Sequence, residues 1–94
     1  MAYGFREDFD WDNRFDLKTK VGKYTVSTVD LGIDHSFGIG KPLYYETMIF
    51  KNIDGDVRLG YQERYSTKEE AINGHQKAIE YVESGVIERE NTVD

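Results

Sequence analysis

Residues 65–85, YSTKEEAINGHQKAIEYVESG, contain the strongest secondary-structure signal in the sequence. Ser66 is a suitable N-cap, and Glu69 three residues later completes a capping box. Gly85 suits the left-handed position that ends a helix. At about 100° per residue, one arc of this helix collects Ala71, Ile72, His75, Ala78, Ile79 and Val82. The pattern predicts an amphipathic helix over residues 67–84 that packs on a sheet. Within it, Gly74 costs about 1 kcal/mol relative to alanine, which predicts close packing at that position.

Three segments before this helix have the composition of β-strands. They are residues 23–31, 43–51 and 56–65, all rich in valine, threonine and tyrosine or alternating in polarity. Asp54-Gly55 between the second and third predicts a two-residue hairpin of type I′. Together the segments predict an α+β fold, with a three- or four-stranded antiparallel sheet and one C-terminal amphipathic helix on one face.

The organisation of the chain follows from these elements. Ninety-four residues suffice for one domain, which we place at residues 17–87. Residues 1–16 form an acidic-aromatic N-terminal arm, and residues 88–94 form a tail that we expect to fray. One helix covers only one side of a sheet, whereas the strands at 23–31 and 43–51 are apolar on both sides. We therefore expect a homodimer or larger closed oligomer.

Composition excludes several classes of function. The chain has no cysteine, so neither a disulfide framework nor a thiolate zinc site is possible. It opens without a basic segment or an apolar run, which predicts neither a signal peptide nor a membrane span. The net charge of −6 is concentrated at the two ends and disfavours direct binding to nucleic acid. An acidic surface would instead suit a basic protein partner.

The glycines of residues 32–50, GIDHSFGIGKPLYYETMIF, suggest a phosphate-binding loop, but their flanks exclude one. Gly40-Lys41 is followed by Pro42 and strand-like residues, where a P-loop requires serine or threonine and then a helix. A dinucleotide fingerprint fails as well, because Leu43 stands where its third glycine is needed. Gly32, Gly38 and Gly40 are therefore interpreted as turn residues.

Four side chains are candidates for a ligand-binding site: Asp34, His35, Glu46 and His75. Glu46 stands in an apolar strand and His75 at the centre of the apolar arc. If the face of Glu46 met the helix, a contact between the two would satisfy both, either as a core pair or as a proton-transfer pair. The residue types also suit zinc, but none of their spacings is typical of metal ligands. We predict no metal, no cofactor and no catalytic residue.

The N-terminal arm is a second candidate site. Its aromatic side chains Phe5, Phe9 and Trp11 alternate with Asp10, Asp12 and other acidic residues. An edge strand with an apolar inner face has this pattern. A segment that binds a partner has it as well, because aromatic side chains are common interface anchors.

From VSTVDLGIDHSFG through PLYYETMIF to RYSTKEEAINGH, the chain resembles a group of small tailed-bacteriophage proteins of unknown function. The resemblance covers about residues 25–82 and leaves the arm outside. It implies a phage protein that works inside an infected bacterium, where we expect it in the cytoplasm, or one that is built into the virion. We expect a non-catalytic binding protein that occupies a host or defence factor. The alternatives are a nucleotide- or metal-binding protein or enzyme using the four candidate side chains, and a minor virion component.

Overall fold

The computed structural model describes residue 10 and residues 12–36 and 38–87. Within them lie a four-stranded antiparallel sheet and a helix that packs on it, which confirms the predicted α+β fold. The elements are β1 (Asp16–Val21), β2 (Tyr24–Asp30), β3 (Tyr45–Asn52), β4 (Asp56–Tyr65) and α1 (Lys68–Glu83), and the strands lie in sequence order across the sheet. In this part of the chain, no helix has both the length and the apolar character needed to cross a membrane. The predicted C-terminal tail lies outside the described residues.

The first strand is the element that the strand predictions did not place. The segment DLKTKV alternates half-buried Leu17, Thr19 and Val21 with exposed lysines, the usual pattern of an edge strand. Val21 pairs with Tyr24, so the connection to β2 has two residues. Gly22 adopts a positive φ of 59° there, which a side chain would disfavour.

The hairpin between β3 and β4 is present, but the prediction of a two-residue loop is wrong. Asn52 pairs with Asp56, which leaves residues 53–55 in the loop. The carboxamide of Asn52 donates to the Asp56 carboxylate over 2.7 Å and accepts from the Thr25 hydroxyl over 2.7 Å. The Asn52–Asp56 bond therefore joins the side chains of the two residues that close the three-residue loop. Asp54 and Gly55 both have positive φ, as the sequence predicts.

The helix begins one residue later than predicted. Thr67 has an extended backbone and is the N-cap in place of Ser66, and Glu70 completes the capping box in place of Glu69. The Glu70 backbone N–H donates to the Thr67 hydroxyl over 3.1 Å, and the Thr67 N–H donates to the Glu70 carboxylate over 3.1 Å. At the other end, Gly85 has the predicted positive φ, at 79°.

The core lies between α1 and one face of the sheet. It contains Tyr24, Val26, Ile49, Ala78, Val82 and Ile87. Side chains that alternate with these along the strands point to the opposite face, which we call the open face. The register places on it Asp16, Lys18 and Lys20 of β1, Thr25, Ser27 and Val29 of β2, Glu46, Met48, Phe50 and Asn52 of β3, and Asp56, Arg58, Gln62 and Arg64 of β4.

Candidate functional site

Asp34 organises the loop between β2 and β3. Its carboxylate accepts hydrogen bonds from the backbone N–H groups of Leu43 and Ser36, at 2.9 and 2.8 Å, and from the Ser36 hydroxyl at 3.0 Å. The bond from Leu43, followed by that from Ser36, lowers the pKa of Asp34. Glycines 32, 38 and 40 of the same loop have positive φ, as expected of turn residues. Asp34 therefore stabilises the conformation of this loop.

Glu46 and His75 lie on opposite faces of the sheet, so the contact considered between them does not form. Glu46 is 6% exposed on the open face and accepts from Arg64 Nε at 2.8 Å and from the Gln62 carboxamide at 2.5 Å. Its neighbour Thr47 points to the helix instead, since adjacent strand residues face opposite ways. Because β3 carries apolar residues on both faces, the sequence did not indicate which face meets α1.

Asp34 and His35 share the β2–β3 loop, whereas Glu46 and His75 lie on opposite faces of the sheet. His35 stays in the β2–β3 loop, where its backbone N–H donates to the Leu43 carbonyl at 2.9 Å. Across residues 10, 12–36 and 38–87, no group of three or more histidine or acidic side chains is placed to hold a metal ion. The structure does not bring Asp34, His35, Glu46 and His75 together into one site.

Of the arm residues, Asp10 and Asp12 are described, whereas Phe5, Phe9 and Trp11 lie outside the described residues. The Asp10 carboxylate accepts from the Asn13 carboxamide and from the Asp12 backbone N–H, each at 2.9 Å, and these bonds lower the pKa of Asp10. The chain joins the sheet at Phe15, whose ring contacts the Tyr45 ring edge-on with 5.9 Å between centroids.

A continuous chain of polar side chains crosses the interior between the sheet and the helix. We call it the threonine–histidine chain: Tyr65, Thr47, Thr28, His75 and Thr19. The distances between successive polar atoms are 3.1 Å from Tyr65 to Thr47, 2.5 Å to Thr28, 2.7 Å to His75 Nδ1, and 2.9 Å from His75 Nε2 to Thr19. Four strands and the helix contribute to it.

Both ring nitrogens of His75 are bonded within this chain. The Tyr65 hydroxyl donates to Thr47 at one end of it. The neutral imidazole has one donor and one acceptor nitrogen, and the hydroxyls of Thr28 and Thr19 can take either role opposite them. His75 is therefore a buried, neutral core residue with both ring nitrogens bonded, and its burial lowers its pKa.

This environment predicts that His75 makes stability depend on pH. Its pKa in the folded chain is below the ordinary 6.5, so between the two values the unfolded chain binds more protons. The free energy of unfolding should consequently fall as the pH drops below about 6.5. Urea unfolding at pH 7.5 and 5.5 measures this, and His75→Gln should reduce the difference. Because His35 remains in both proteins, an unchanged difference would contradict the assignment to His75.

A groove runs between β4 and α1, and we call it the β4–α1 groove. Its volume is about 430 Å³, within the range of small-molecule sites. The lining comprises Tyr61, Glu63 and Tyr65 of β4, and Glu70, Asn73, Gly74 and Lys77 of α1. The spacing of these residues in the sequence is consistent with such a groove. Residues 61, 63 and 65 alternate and so share one face of a strand, and residues 70, 73, 74 and 77 recur every three or four positions and so share one side of a helix. None of these residues was among the predicted site residues.

Two tyrosines shape the walls of the groove. The Tyr65 ring lies directly against the backbone of Gly74, where any Cβ would overlap the ring, which confirms the close packing expected there. The Tyr61 ring stacks on Tyr81 with centroids 5.4 Å apart and an interplanar angle of 28°. Burial raises the pKa of both Tyr61 and Tyr65. Both rings are held in place by these contacts.

The open face differs from the rest of the molecule in charge. Four basic side chains (Lys18, Lys20, Arg58, Arg64) and three acidic ones (Asp16, Glu46, Asp56) occupy it by register, which amounts to +1 against −6 for the whole chain. Val29, Met48 and Phe50 lie among them and are partly exposed. The face therefore combines partly exposed apolar side chains on its two central strands with charges that, apart from that of Glu46, lie on the edge strands.

Comparison of the chain with protein-family models, with curated proteins and with solved structures found no match. The geometry of the open face and of the β4–α1 groove is therefore the basis for assigning a function.

Proposed function

We propose that the chain is a phage-encoded, non-catalytic binding protein that acts in the cytoplasm of the infected bacterium. It binds a host or defence protein through the open face of the sheet. The phage origin is supported by the resemblance over about residues 25–82. The choice of surface is supported by the fold, because α1 lies on the other face.

The observation that carries this proposal is the combination of side chains on the open face. Val29, Met48 and Phe50 occupy adjacent strands and are partly exposed. Arg58 pairs directly with Phe50, and Lys20 lies two strands away in the same row of the sheet. An apolar centre with a polar rim is the usual anatomy of a protein interface. Since the face carries +1, the complementary partner surface is apolar with acidic groups around it. This differs from the basic partner expected from the net charge of the whole chain.

A pull-down from host lysate with a matched pair of variants tests the proposal. Phe50→Asp places a charge on the open face in the central strand β3. Ile72→Asp makes the same change on α1, where Ile72 is 46% exposed. We expect the wild type and Ile72→Asp to recover the same stoichiometric partner, and Phe50→Asp to recover about tenfold less of it. Circular dichroism confirms that both variants are folded. Equal recovery by Phe50→Asp would contradict the proposal.

A second copy of the chain is the alternative occupant of the open face, in keeping with the homo-oligomer expected from the sequence. Light scattering at micromolar concentration shows whether the face binds a second copy of the chain or a different protein. A wild-type dimer that Phe50→Asp converts to a monomer would assign this face to self-association. A monomer in both cases would contradict the expected oligomer and leave the face to a different protein.

A further inference from the structure

We propose that the β4–α1 groove binds a small zwitterion with an aromatic body, of the class of free aromatic amino acids. Its cationic amine lies at Glu63 and its carboxylate lies toward Lys77 and Asn73. This site is separate from the protein interface proposed above, because the groove lies on the helix side of the sheet.

Glu63 supplies the amine-binding end. It lies between Tyr61 and Tyr65 on one face of β4, and no described residue donates a hydrogen bond to its carboxylate or forms an ion pair with it. Its negative charge contributes, after burial, to raising the pKa of each tyrosine, so its potential reaches both ring hydroxyls. A carboxylate flanked by aromatic rings attracts an organic ammonium through charge and cation–π interaction.

The opposite wall supplies donors for a carboxylate. Asn73 and Lys77 are four residues apart on α1, so both project toward the groove from one side of the helix. Neither side chain has a hydrogen-bond or ion-pair partner among the described residues. An ammonium and a carboxamide N–H that face the same space suit a carboxylate or another strong acceptor.

The aromatic walls favour a ligand with a planar apolar body. The Tyr61 ring is fixed by stacking on Tyr81, and the Tyr65 ring by its contact with Gly74 and its hydrogen bond to Thr47. Aromatic side chains that are already ordered lose little conformational entropy when a second ring packs against them.

The charge of the groove argues against polyanionic ligands. Glu63 and Glu70 against Lys77 amount to −1, and Glu70 already accepts the hydrogen bonds of the helix cap. A nucleoside polyphosphate would meet more negative than positive charge there, whereas a zwitterion offers a cation to Glu63 and an anion to Lys77.

The test is an NMR titration of the full-length protein with three probes that differ only in their charged groups. Free phenylalanine carries amine and carboxylate, phenethylamine carries only the amine, and hydrocinnamate carries only the carboxylate. We expect shifts of the Asn73 and Gly74 amide signals with phenylalanine, about tenfold weaker binding of phenethylamine, and no saturable binding of hydrocinnamate. Hydrocinnamate binding as tightly as phenylalanine would overturn the assignment of the amine to Glu63.

Two charge-neutralising variants locate the two ends of the ligand, and a third is the control. Glu63→Gln should weaken phenylalanine binding about tenfold, and Lys77→Gln should make phenylalanine and phenethylamine bind equally. Glu80→Gln is the matched control, since Glu80 is exposed on α1 and does not line the groove. Unchanged affinity in Glu63→Gln, or no shift with any probe, would overturn the proposal. The pull-down with Phe50→Asp does not depend on these results, so the two proposals succeed or fail separately.

Discussion

Replacement of Thr28 by valine is expected to lower the free energy of unfolding by about 2–4 kcal/mol. Valine has nearly the same shape, so the loss comes from hydrogen bonding and not from packing. Thr28 is fully buried and bonds both Thr47 and His75. Without its hydroxyl, His75 Nδ1 and the Thr47 hydroxyl each lose a hydrogen-bond partner. Each unsatisfied buried polar group costs about 1–3 kcal/mol.

The matched control is Thr25→Val, the same change three residues earlier in β2 but on the open face. The Thr25 hydroxyl donates to Asn52 at a partly buried position, where water can replace a lost partner. We expect a loss below about 1 kcal/mol. Chemical denaturation monitored by circular dichroism measures both variants. Equal losses for Thr25→Val and Thr28→Val would show that the threonine–histidine chain contributes nothing special to stability.

Gly74→Ala is the second large expected effect, and its sign opposes helix propensity. Alanine in a helix interior is favoured over glycine by about 1 kcal/mol. At this position, however, a Cβ would overlap the ring and hydroxyl of Tyr65. The ring must move, which disturbs packing and its hydrogen bond to Thr47. We expect a net loss of about 1–3 kcal/mol in the free energy of unfolding.

A double-mutant cycle identifies the cause. In a Tyr65→Leu background the overlap is removed, and Gly74→Ala should then become neutral or stabilise the protein by up to about 1 kcal/mol. Gln76→Ala controls for the general effect of alanine in this helix, because Gln76 is exposed on α1 and does not line the groove. A destabilisation that persists unchanged in the Tyr65→Leu background would contradict the steric explanation.

The elements that the sequence predicts well depend on local interactions. The apolar arc of α1, its Gly85 terminus and the positive φ of Asp54 and Gly55 each involve residues a few positions apart. The N-cap was displaced by one residue because serine and threonine are adjacent at 66 and 67, and glutamates are adjacent at 69 and 70. The stretch therefore contains two possible capping boxes, Ser66 with Glu69 and Thr67 with Glu70, and the second one forms.

The candidate site was predictable only in part. His75 was recognised as a polar residue on an apolar arc, but its partners come from β1 and β2, which are 56 and 47 residues away in sequence. Glu46 was recognised as an unusual carboxylate in an apolar strand, yet its partners lie on β4. Which strand residues stand opposite each other depends on register, and register is set by non-local pairing.

The sequence by itself determined the classes of element, the turn chemistry and the number of faces one helix can cover, because these follow from residue periodicity and backbone preference. Tertiary structure alone decided which face of β3 meets the helix, and it thereby separated Glu46 from His75. It also aligned three threonines, one histidine and one tyrosine into a single chain, and placed Tyr61, Glu63 and Tyr65 against the stripe of Asn73 and Lys77. The physical reason is that successive side chains of a strand point to opposite faces of the sheet. Both faces of β3 carry apolar side chains, so only packing against the helix determines which face is buried beneath α1.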